Sequence, residues 1–235
     1  MTITVIIPTL NEEATIARTV RHTAERGFDQ VIVVDGGSTD HTRTLAGVPA
    51  SGPQPSALSP IRLLSTPRGR ATQLNAGAHA SRDDVLLFLH ADTRLPDTAK
   101  RHIESALADP AVVGGRFDVR FDSPSAWGRV ISTFMNLRSR LTRISTGDQA
   151  MFVRRRVFEQ LGGFSDIPLM EDIEFSARLK HAGPTQALRE TVTTSFRRWE
   201  QQGPLKTILL MWTLRFLYWI GVSPHRLKNF YAAVR

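Results

Sequence analysis

The chain has 235 residues, 41% of them hydrophobic, and no cysteine. That is enough apolar material for one large domain with or without an appendage, and the missing thiols exclude disulfides and thiolate metal sites, which suits a reducing compartment. The net charge of +8 points to an anionic partner, and without zinc-finger spacing, RNP-like aromatics or basic heptads that partner is not read as nucleic acid.

Thr2 to Ile7 enters a strand directly, without the basic leader of a signal peptide, and Pro8 to Asn11 turns the chain. Asn11 is expected to cap a helix with Glu12 and Glu13 in its first turn, Ile16, Val20 and Ala24 on its apolar face, and Gly27 at its end. Gln30 to Val34 is a second strand, ending at Asp35. Strand, helix, strand with short links implies parallel pairing through a right-handed crossover. Asp35 opens DGGSTDHT, a tight turn in which Ser38 or Asp40 can cap the next short helix. GxGxxG is missing from both strand ends, which argues against a dinucleotide-binding dehydrogenase.

Gly47 to Pro60 is rich in Pro, Gly, Ser and Ala and reads as a flexible surface connection. Ile61 to Ser65 is a third strand, and Arg68 to Ala80 a helix with Arg68 and Arg70 in its first turn. Cations there oppose the helix dipole at about 0.3–1 kcal/mol each. Either an anion lies nearby or both side chains reach solvent. Val85 to Leu89 is an apolar run suited to a strand covered on both faces, and it breaks off into His90, Ala91 and Asp92. Ligands of open α/β sheets bind outside the carboxyl ends of the strands, so Asp92 is either a ligand there or a cap for the turn before Pro96.

Pro96 to Ala108 reads as a helix, and Val112 to Phe121 as a strand that bends or bulges, carrying Gly114 and Gly115. From Trp127 to Leu141, the residues Val130, Phe134, Leu137 and Leu141 recur at helical spacing and mark a core face or a lid. Arg138, Arg140, Arg143 and Arg154 to Arg156 read as solvated faces of helices. Ala150 to Val153 is strand-like, a short helix runs to Leu161, and the loop GGFSDIPLM leads to a helix that opens on Glu171 and Asp172 and ends near Gly183. Those two carboxylates complement the helix dipole whatever else they do. Thr191 to Phe196 returns as a strand. Leu205 to Val222 is the most hydrophobic helix, yet Lys206 and Arg215 interrupt it and it is short for a bilayer span. With Pro224, His225, Arg226 and Lys228 after it, this helix can lie in a membrane interface, pack on the domain or dimerise.

IIPTLNEEATI, VVDGGSTDHT, LFLHADT and GGFSDIPLMEDIEFSARLKHAG stand in the order of the motifs of family-2 glycosyltransferases, which the chain resembles over about residues 2 to 200. The resemblance implies an α/β GT-A fold: a Rossmann-like, mostly parallel sheet flanked by helices, here with a C-terminal hydrophobic helix. The transferase domain would span 1–200 and an amphipathic helical extension 201–235. The implied reaction is metal-dependent inverting transfer from a nucleotide sugar, a UDP-sugar, to an unknown acceptor that is a glycan, a lipid or a small molecule.

By the same resemblance Pro8, Leu10, Glu12, Asp35, Arg70 and Ala91 line the nucleotide site, and Asp92 binds Mg²⁺ or Mn²⁺ in the place of the DxD motif. His90 stands where that motif has its first acid; one carboxylate can suffice, because Mg²⁺ is often held by one or two carboxylates plus phosphates and water. His90 is then a weak ligand, a group that orients a ligand, or a packed histidine. Asp172 is the implied general base, with Glu171 positioning it or binding acceptor. Asp148 and Gln149 would shape the acceptor pocket together with Arg198 and Trp199, which are similar to the end of the QxxRW motif of processive members. Ser195 replaces its glutamine, and no multi-span region follows, so a single transfer is expected. The implied setting is the cytoplasm at the inner face of the membrane, with membrane contact or a homodimer through the last helix. Two other readings compete. A nucleotidyltransferase would carry a glycine-rich basic first loop where this chain has PTLNEE. A basic membrane or nucleic-acid binding module leaves the ordered carboxylates without a purpose.

Overall fold

The apolar runs of the sequence become the strands of one sheet in the computed structural model, which describes residues 1–47 and 58–234. They are β1 (Ile3–Thr9), β2 (Gln30–Asp35), β3 (Ile61–Ser65), β4 (Val85–Phe88), β5 (Gly114–Phe121), β6 (Phe152–Arg154) and β7 (Thr185–Thr194). Their spatial order is β3-β2-β1-β4-β6-β5-β7. The first four run parallel, β5 and β7 are parallel to each other, and β6 is antiparallel to both of its neighbours.

Alternation along the strands sends successive side chains to opposite faces, and each face is covered by helices. On one face Ile3, Val5, Ile7, Val31 and Val33 pack under α1 (Ile16–Ala24) and α4 (Ala99–Ala106). On the other, Ile6, Ile32, Val34 and Leu86 pack under α3 (Arg70–Ala80), α6 (Arg155–Gln160) and α7 (Glu171–Ala182). Gly77 of α3 lets that helix lie close on the sheet, since a Cβ there would press on Ile6 and, at 3.1 Å, on Val34. The remaining helices are α2 (Thr42–Gly47), α5 (Ala126–Thr142), α8 (Arg197–Gln202), α9 (Pro204–Trp219) and α10 (Pro224–Val234). The last two fold back on the domain: Leu210, Leu214 and Leu227 bury against Met170, with Ile173 alongside.

Several sequence expectations need correction. The first helix begins at Ile16, because Asn11 adopts φ 54° and its Oδ1 accepts the Thr39 N–H at 2.9 Å instead of capping. Ser38 accepts the Asn11 N–H at 2.9 Å at this junction, while Asp40 accepts the N–H of Thr42, the first residue of α2, at 2.9 Å, in line with the cap expected of Ser38 or Asp40. The β5 irregularity falls between Arg116 and Asp118 and not at Gly114 and Gly115, whose missing side chains admit the Phe152 and Gln186 carbonyls. β7 starts at Thr185, well before Thr191, and α8 and α10 were not anticipated.

The Val130, Phe134, Leu137 and Leu141 stripe is not core: it faces outward, and Leu141 is 76% exposed. Helical spacing defines a face but not what covers it. Of the arginines read as solvated, Arg143 and Arg156 are exposed, while Arg138, Arg140, Arg154 and Arg155 are half-buried. Arg140 pairs with Asp118 at 2.6 Å, Arg154 donates to the Val112 and Leu107 carbonyls, and Arg155 donates to Asp83 and Ser81. Of the Gly47 to Pro60 connection, residues 48–57 lie outside the described residues. Among the described residues no helix is long and apolar enough to cross a membrane.

Candidate functional site

Because β1 to β4 are parallel, their carboxyl ends share one edge of the sheet, with Thr9 opposite Asp35 and Asp35 opposite Ser65. Strand order reverses between β1 and β4, and such a switch point opens a crevice outside the strand ends. The turns that follow β1 and β4, carrying Leu10 to Glu12 and His90 to Asp92, flank this crevice. Gln73, 4% exposed on α3, donates through Nε2 to the Thr9 carbonyl at 2.7 Å and the Val34 carbonyl at 2.8 Å. It fixes the ends of β1 and β2 relative to each other.

Asp35 is fully buried, and its carboxylate accepts the Gly37 and Ser38 N–H groups at 3.0 and 3.1 Å, with Arg43 3.9 Å away. It holds the loop after β2 in shape. Pro8 lines a small cavity together with Arg70, Leu74, His90, Gly147 and Asp172. Ala91 is buried, and its carbonyl accepts the Thr19 hydroxyl at 2.7 Å.

Glu12 and Asp92 approach from the two sides of the crevice. Burial pushes the Glu12 carboxyl above its usual range, the Asp92 charge pushes the same way, and Arg197, 3.4 Å from it, opposes both. Asp92 has no ion pair among the described residues; it receives only the Thr93 and Thr194 hydroxyls, each at 3.4 Å. Paired backbone bonds between Arg94 and Thr193, at 2.8 and 2.9 Å, tie its loop to the end of β7. No three His, Asp or Glu side chains form a metal cage among the described residues. The donor set instead fits a hard cation that takes Asp92 and completes its shell with phosphate and water oxygens, and such a cation would relieve the repulsion between Asp92 and Glu12.

Across the crevice a line of side chains is threaded through His90. Its Nδ1 lies 3.1 Å from Asp148, and its Nε2 meets the Arg70 guanidinium. An arginine has only donors, so Nε2 accepts and Nδ1–H donates to Asp148. Arg70 in turn pairs through Nε with Glu171 at 3.2 Å. Burial works against the Arg70 charge, but Glu171, Asp172, Asp148 and Asp92 outweigh it and hold its proton more firmly than usual. The awkward first-turn position of Arg70 is thus answered by protein carboxylates. Burial would raise the Asp148 carboxyl, yet the His90 hydrogen bond and the charges around it, Arg70 and Arg198 included, bring it down to about 2. Glu171, 4% exposed, is raised by burial, with Arg70 opposing and Asp172 adding to the rise.

Asp172 is the partly exposed carboxylate at the start of α7. Its Oδ2 accepts the Gly147 N–H at 2.7 Å and its Oδ1 the Ile173 N–H at 2.8 Å. Met170 just before it adopts φ 71°, a costly left-handed conformation for a non-glycine residue, of the kind that collects at functional sites. Gly147 is glycine for a steric reason, since a Cβ would run into the Arg70 guanidinium and His90 Nε2. Gln149 is fully buried and its amide donates to Ser139 at 2.9 Å and accepts the Thr146 N–H at 3.2 Å, so it braces this loop from inside. Trp199 stacks on Phe196 with centroids 6.3 Å apart, and Arg198 lies 5.6 Å from the Tyr231 ring centroid.

The structure therefore gathers Pro8, Arg70, His90, Asp148, Glu171 and Asp172 on one side and Glu12 with Asp92 on the other, and keeps Asp35 and Gln149 inside their loops. Gln73 and Gly147 carry roles that the sequence reading missed. A polar residue on the otherwise apolar buried face of α3 was the available signal for Gln73.

Residues 4–162 match the family model described as Glycosyl transferase family 2. The undecaprenyl-phosphate 4-deoxy-4-formamido-L-arabinose transferase of Pseudomonas paraeruginosa is 31% identical over 160 residues, 65% of this chain and 46% of that protein. The probable glycosyltransferase YdaM of Bacillus subtilis is 25% identical over 202 residues, 77% of this chain and 47% of that protein. The chain spans about half the length of these curated relatives. Among solved structures, residues 1–349 of S. aureus TarS align with TM-score 0.63 at 14% identity, covering 92% of this chain and 66% of that one. The mannosyltransferase PcManGT of Pyrobaculum calidifontis, solved with GDP-Man and Mn²⁺, aligns with TM-score 0.63 at 22% identity, covering 88% and 61%. At such identities the structural likeness establishes the fold.

Proposed function

This chain belongs to glycosyl transferase family 2, and on that premise we propose that it moves a sugar from a nucleotide-diphosphate sugar, a UDP-sugar, to an acceptor hydroxyl in a single inverting transfer. The observation that carries the proposal is the placement of Asp172. Its carboxylate is fixed by the Gly147 N–H in the wall that Pro8, Arg70 and His90 also line, outside the carboxyl ends of the parallel strands.

In this reading the strand ends and turns that carry Pro8, Leu10, Glu12, Asp35 and Ala91 cradle the nucleotide, and Arg70 lends positive charge on the diphosphate side. Asp92 holds Mg²⁺ or Mn²⁺, which when bound supplies Lewis-acid stabilisation of the departing nucleoside diphosphate. Asp172 accepts the acceptor proton as the acceptor oxygen forms its bond to the anomeric carbon and the bond from that carbon to the diphosphate breaks, inverting the centre. Glu171 is too buried to meet an acceptor and positions Arg70, through it His90, and so the Asp148 end of the pocket. Asp148, Arg198 and Trp199 face the acceptor, and Gln149 supports them from behind.

The outward residues of α9, with Trp212 69% and Trp219 80% exposed, support a further element of the proposal. Beside Lys206, Arg226 and Lys228, and with a net charge of +8, this surface suits peripheral contact with an anionic membrane. The transferase reading is tested by assaying release of nucleoside diphosphate from UDP-sugars with Mn²⁺ in the wild type and in Asp172→Asn. Turnover in the wild type and its collapse in the variant, with donor binding kept, supports it; full activity in the variant removes Asp172 from the role.

A further inference from the structure

The apolar row of α5 takes no part in the site described above. Trp127, Val130, Phe134, Leu137 and Leu141 stand exposed along it, as Leu205, Leu209, Trp212, Phe216 and Trp219 stand exposed along α9. Among the described residues, the other exposed large hydrophobic side chains are Ile220 and Phe230, in the same C-terminal segment, and the isolated Met1 and Ile61. Bare apolar surface is thus gathered on these helices. Phe134, Trp212, Phe216 and Trp219 are each more than half exposed, and at about 150–250 Å² apiece they leave about 500 Å² bare, already the size of the largest patch on a typical monomer. The leucines enlarge it.

The two rows make one face. Each lies opposite the buried residues of its own helix, Gly128, Ser132 and Ser139 on α5 and Thr207, Leu210 and Leu214 on α9. Between them, Met135 of α5 and Ile208 of α9 pack against the same cluster of Phe121, Ile131 and Phe196. The helices therefore lie side by side, with both rows turned away from the domain.

Charge decides what covers this face. α5, α9 and α10 together hold seven Lys and Arg and no Asp or Glu, which is nearly the whole net charge of +8. Arg129, Lys206, Arg226 and Lys228 are exposed. A second copy of the chain meeting the face about a two-fold axis would set the same cations against one another. An anionic bilayer instead takes the apolar rows into its interface and the cations against its headgroups, and tryptophans such as Trp127, Trp212 and Trp219 favour that boundary.

We propose that α5, a helix of the transferase domain itself, and α9 form a single two-helix face that seats the chain on an anionic lipid bilayer. This goes beyond contact through α9 alone, and it does not depend on the transfer chemistry. It also bears on the site, because both helices lead into the wall that carries Asp172. α5 runs into the loop whose Gly147 N–H holds that carboxylate, and α9 packs through Leu210 and Leu214 on Met170, two residues before it. A fixed seating of the two helices fixes how this wall is turned to the lipid surface.

The chain has no cysteine, so a single introduced one carries a polarity-sensitive fluorophore at one known place. Phe134→Cys reports on α5, Phe216→Cys on α9, and His79→Cys, exposed on α3 over the other face of the sheet, is the control. Each labelled full-length chain is titrated with phosphatidylglycerol and with phosphatidylcholine vesicles, without nucleotide or metal. The proposal expects emission to shift to the blue at the Phe134 and Phe216 positions on phosphatidylglycerol, with no shift at the His79 position and little on phosphatidylcholine. Phe134→Ser combined with Leu141→Ser, at exposed positions outside the pocket, should weaken phosphatidylglycerol binding by about tenfold or more. A shift on α9 without one on α5, or serine variants that bind like the wild type, takes α5 out of the face and overturns the proposal. Absence of vesicle binding overturns it, as does equal binding to phosphatidylcholine, which would leave the cations without a role. A shift at the Phe134 position that grows with protein concentration in the absence of lipid assigns the face to a second copy and overturns it too. A chain that seats on vesicles through both helices yet binds no nucleotide is a different result, which removes the transferase reading and leaves this one standing.

Discussion

The Gly147 N–H lies 2.7 Å from Asp172 Oδ2, and on its other side Gly147 leaves room for Arg70 and His90 to meet. One residue without a side chain thus sets the carboxylate proposed as base and admits the charged line that runs from Asp148 to Glu171. The first contact uses the backbone alone; the second is where a larger residue would intrude, since a Cβ would meet Arg70 and His90.

Asp172→Asn keeps the shape of the site and removes the proton acceptor. Turnover should fall by about 10²–10⁴-fold, the usual contribution of a positioned base. Affinity for the nucleotide, measured by calorimetry, should change by less than about twofold.

Gly147→Ala should be costly in both stability and activity. The added methyl displaces Arg70 or His90, and overpacking of this kind costs about 1–3 kcal/mol. A denaturant titration reads the first effect and the assay of nucleoside diphosphate release the second. A variant with unchanged stability would show that the Arg70–His90 contact is loose.

Gln73→Leu retains the volume of the side chain and leaves the Thr9 and Val34 carbonyls without a donor they now have. A loss of about 1–3 kcal/mol in unfolding free energy is expected. Because the two carbonyls sit at the ends of β1 and β2, donor affinity should fall as well.

Asp148 gives the pH dependence. Its folded-state pKa, about 2, lies below that of the unfolded chain, so its stabilisation is present above about pH 4 and is lost as pH falls toward 2. Asp148→Asn should therefore lower Tm at pH 5 to 8, and the gap to wild type should close as the solution is acidified below pH 4. A gap independent of pH would mean that the loss comes from geometry alone.

The parts of this molecule that were legible in the sequence are those where local pattern decides the outcome. Val31 to Val34 and Val85 to Leu87 are short, largely β-branched or aliphatic runs that read as buried strands and are so, and the acidic residues that follow them fall at the carboxyl edge that parallel strands share. What escaped depends on contacts distant in sequence. Asn11 has the composition of a cap, but the loop after β2 claims its side chain. The apolar row from Val130 to Leu141 has the spacing of a core face, yet α5 turns Ile131 and Ser132 inward and leaves that row outside. Arg138, Arg140, Arg154 and Arg155 resemble a solvated row in one dimension, while each of them donates to a carbonyl or carboxylate of a segment that the chain brings alongside. Gln73 and Gly147 gain their meaning only from strands and side chains that the chain reaches tens of residues away.

The measurement that bears most directly on the account is a thermal-shift panel of UDP- and GDP-sugars with and without Mn²⁺. A ligand at about 100 times its dissociation constant stabilises a protein by about 2.7 kcal/mol, well within reach of the method. The account predicts a clear rise in Tm with a UDP-sugar, larger with Mn²⁺ than without it and with the Mn²⁺ increment abolished in Asp92→Ala. No shift with any nucleotide sugar, with or without the metal, would contradict it.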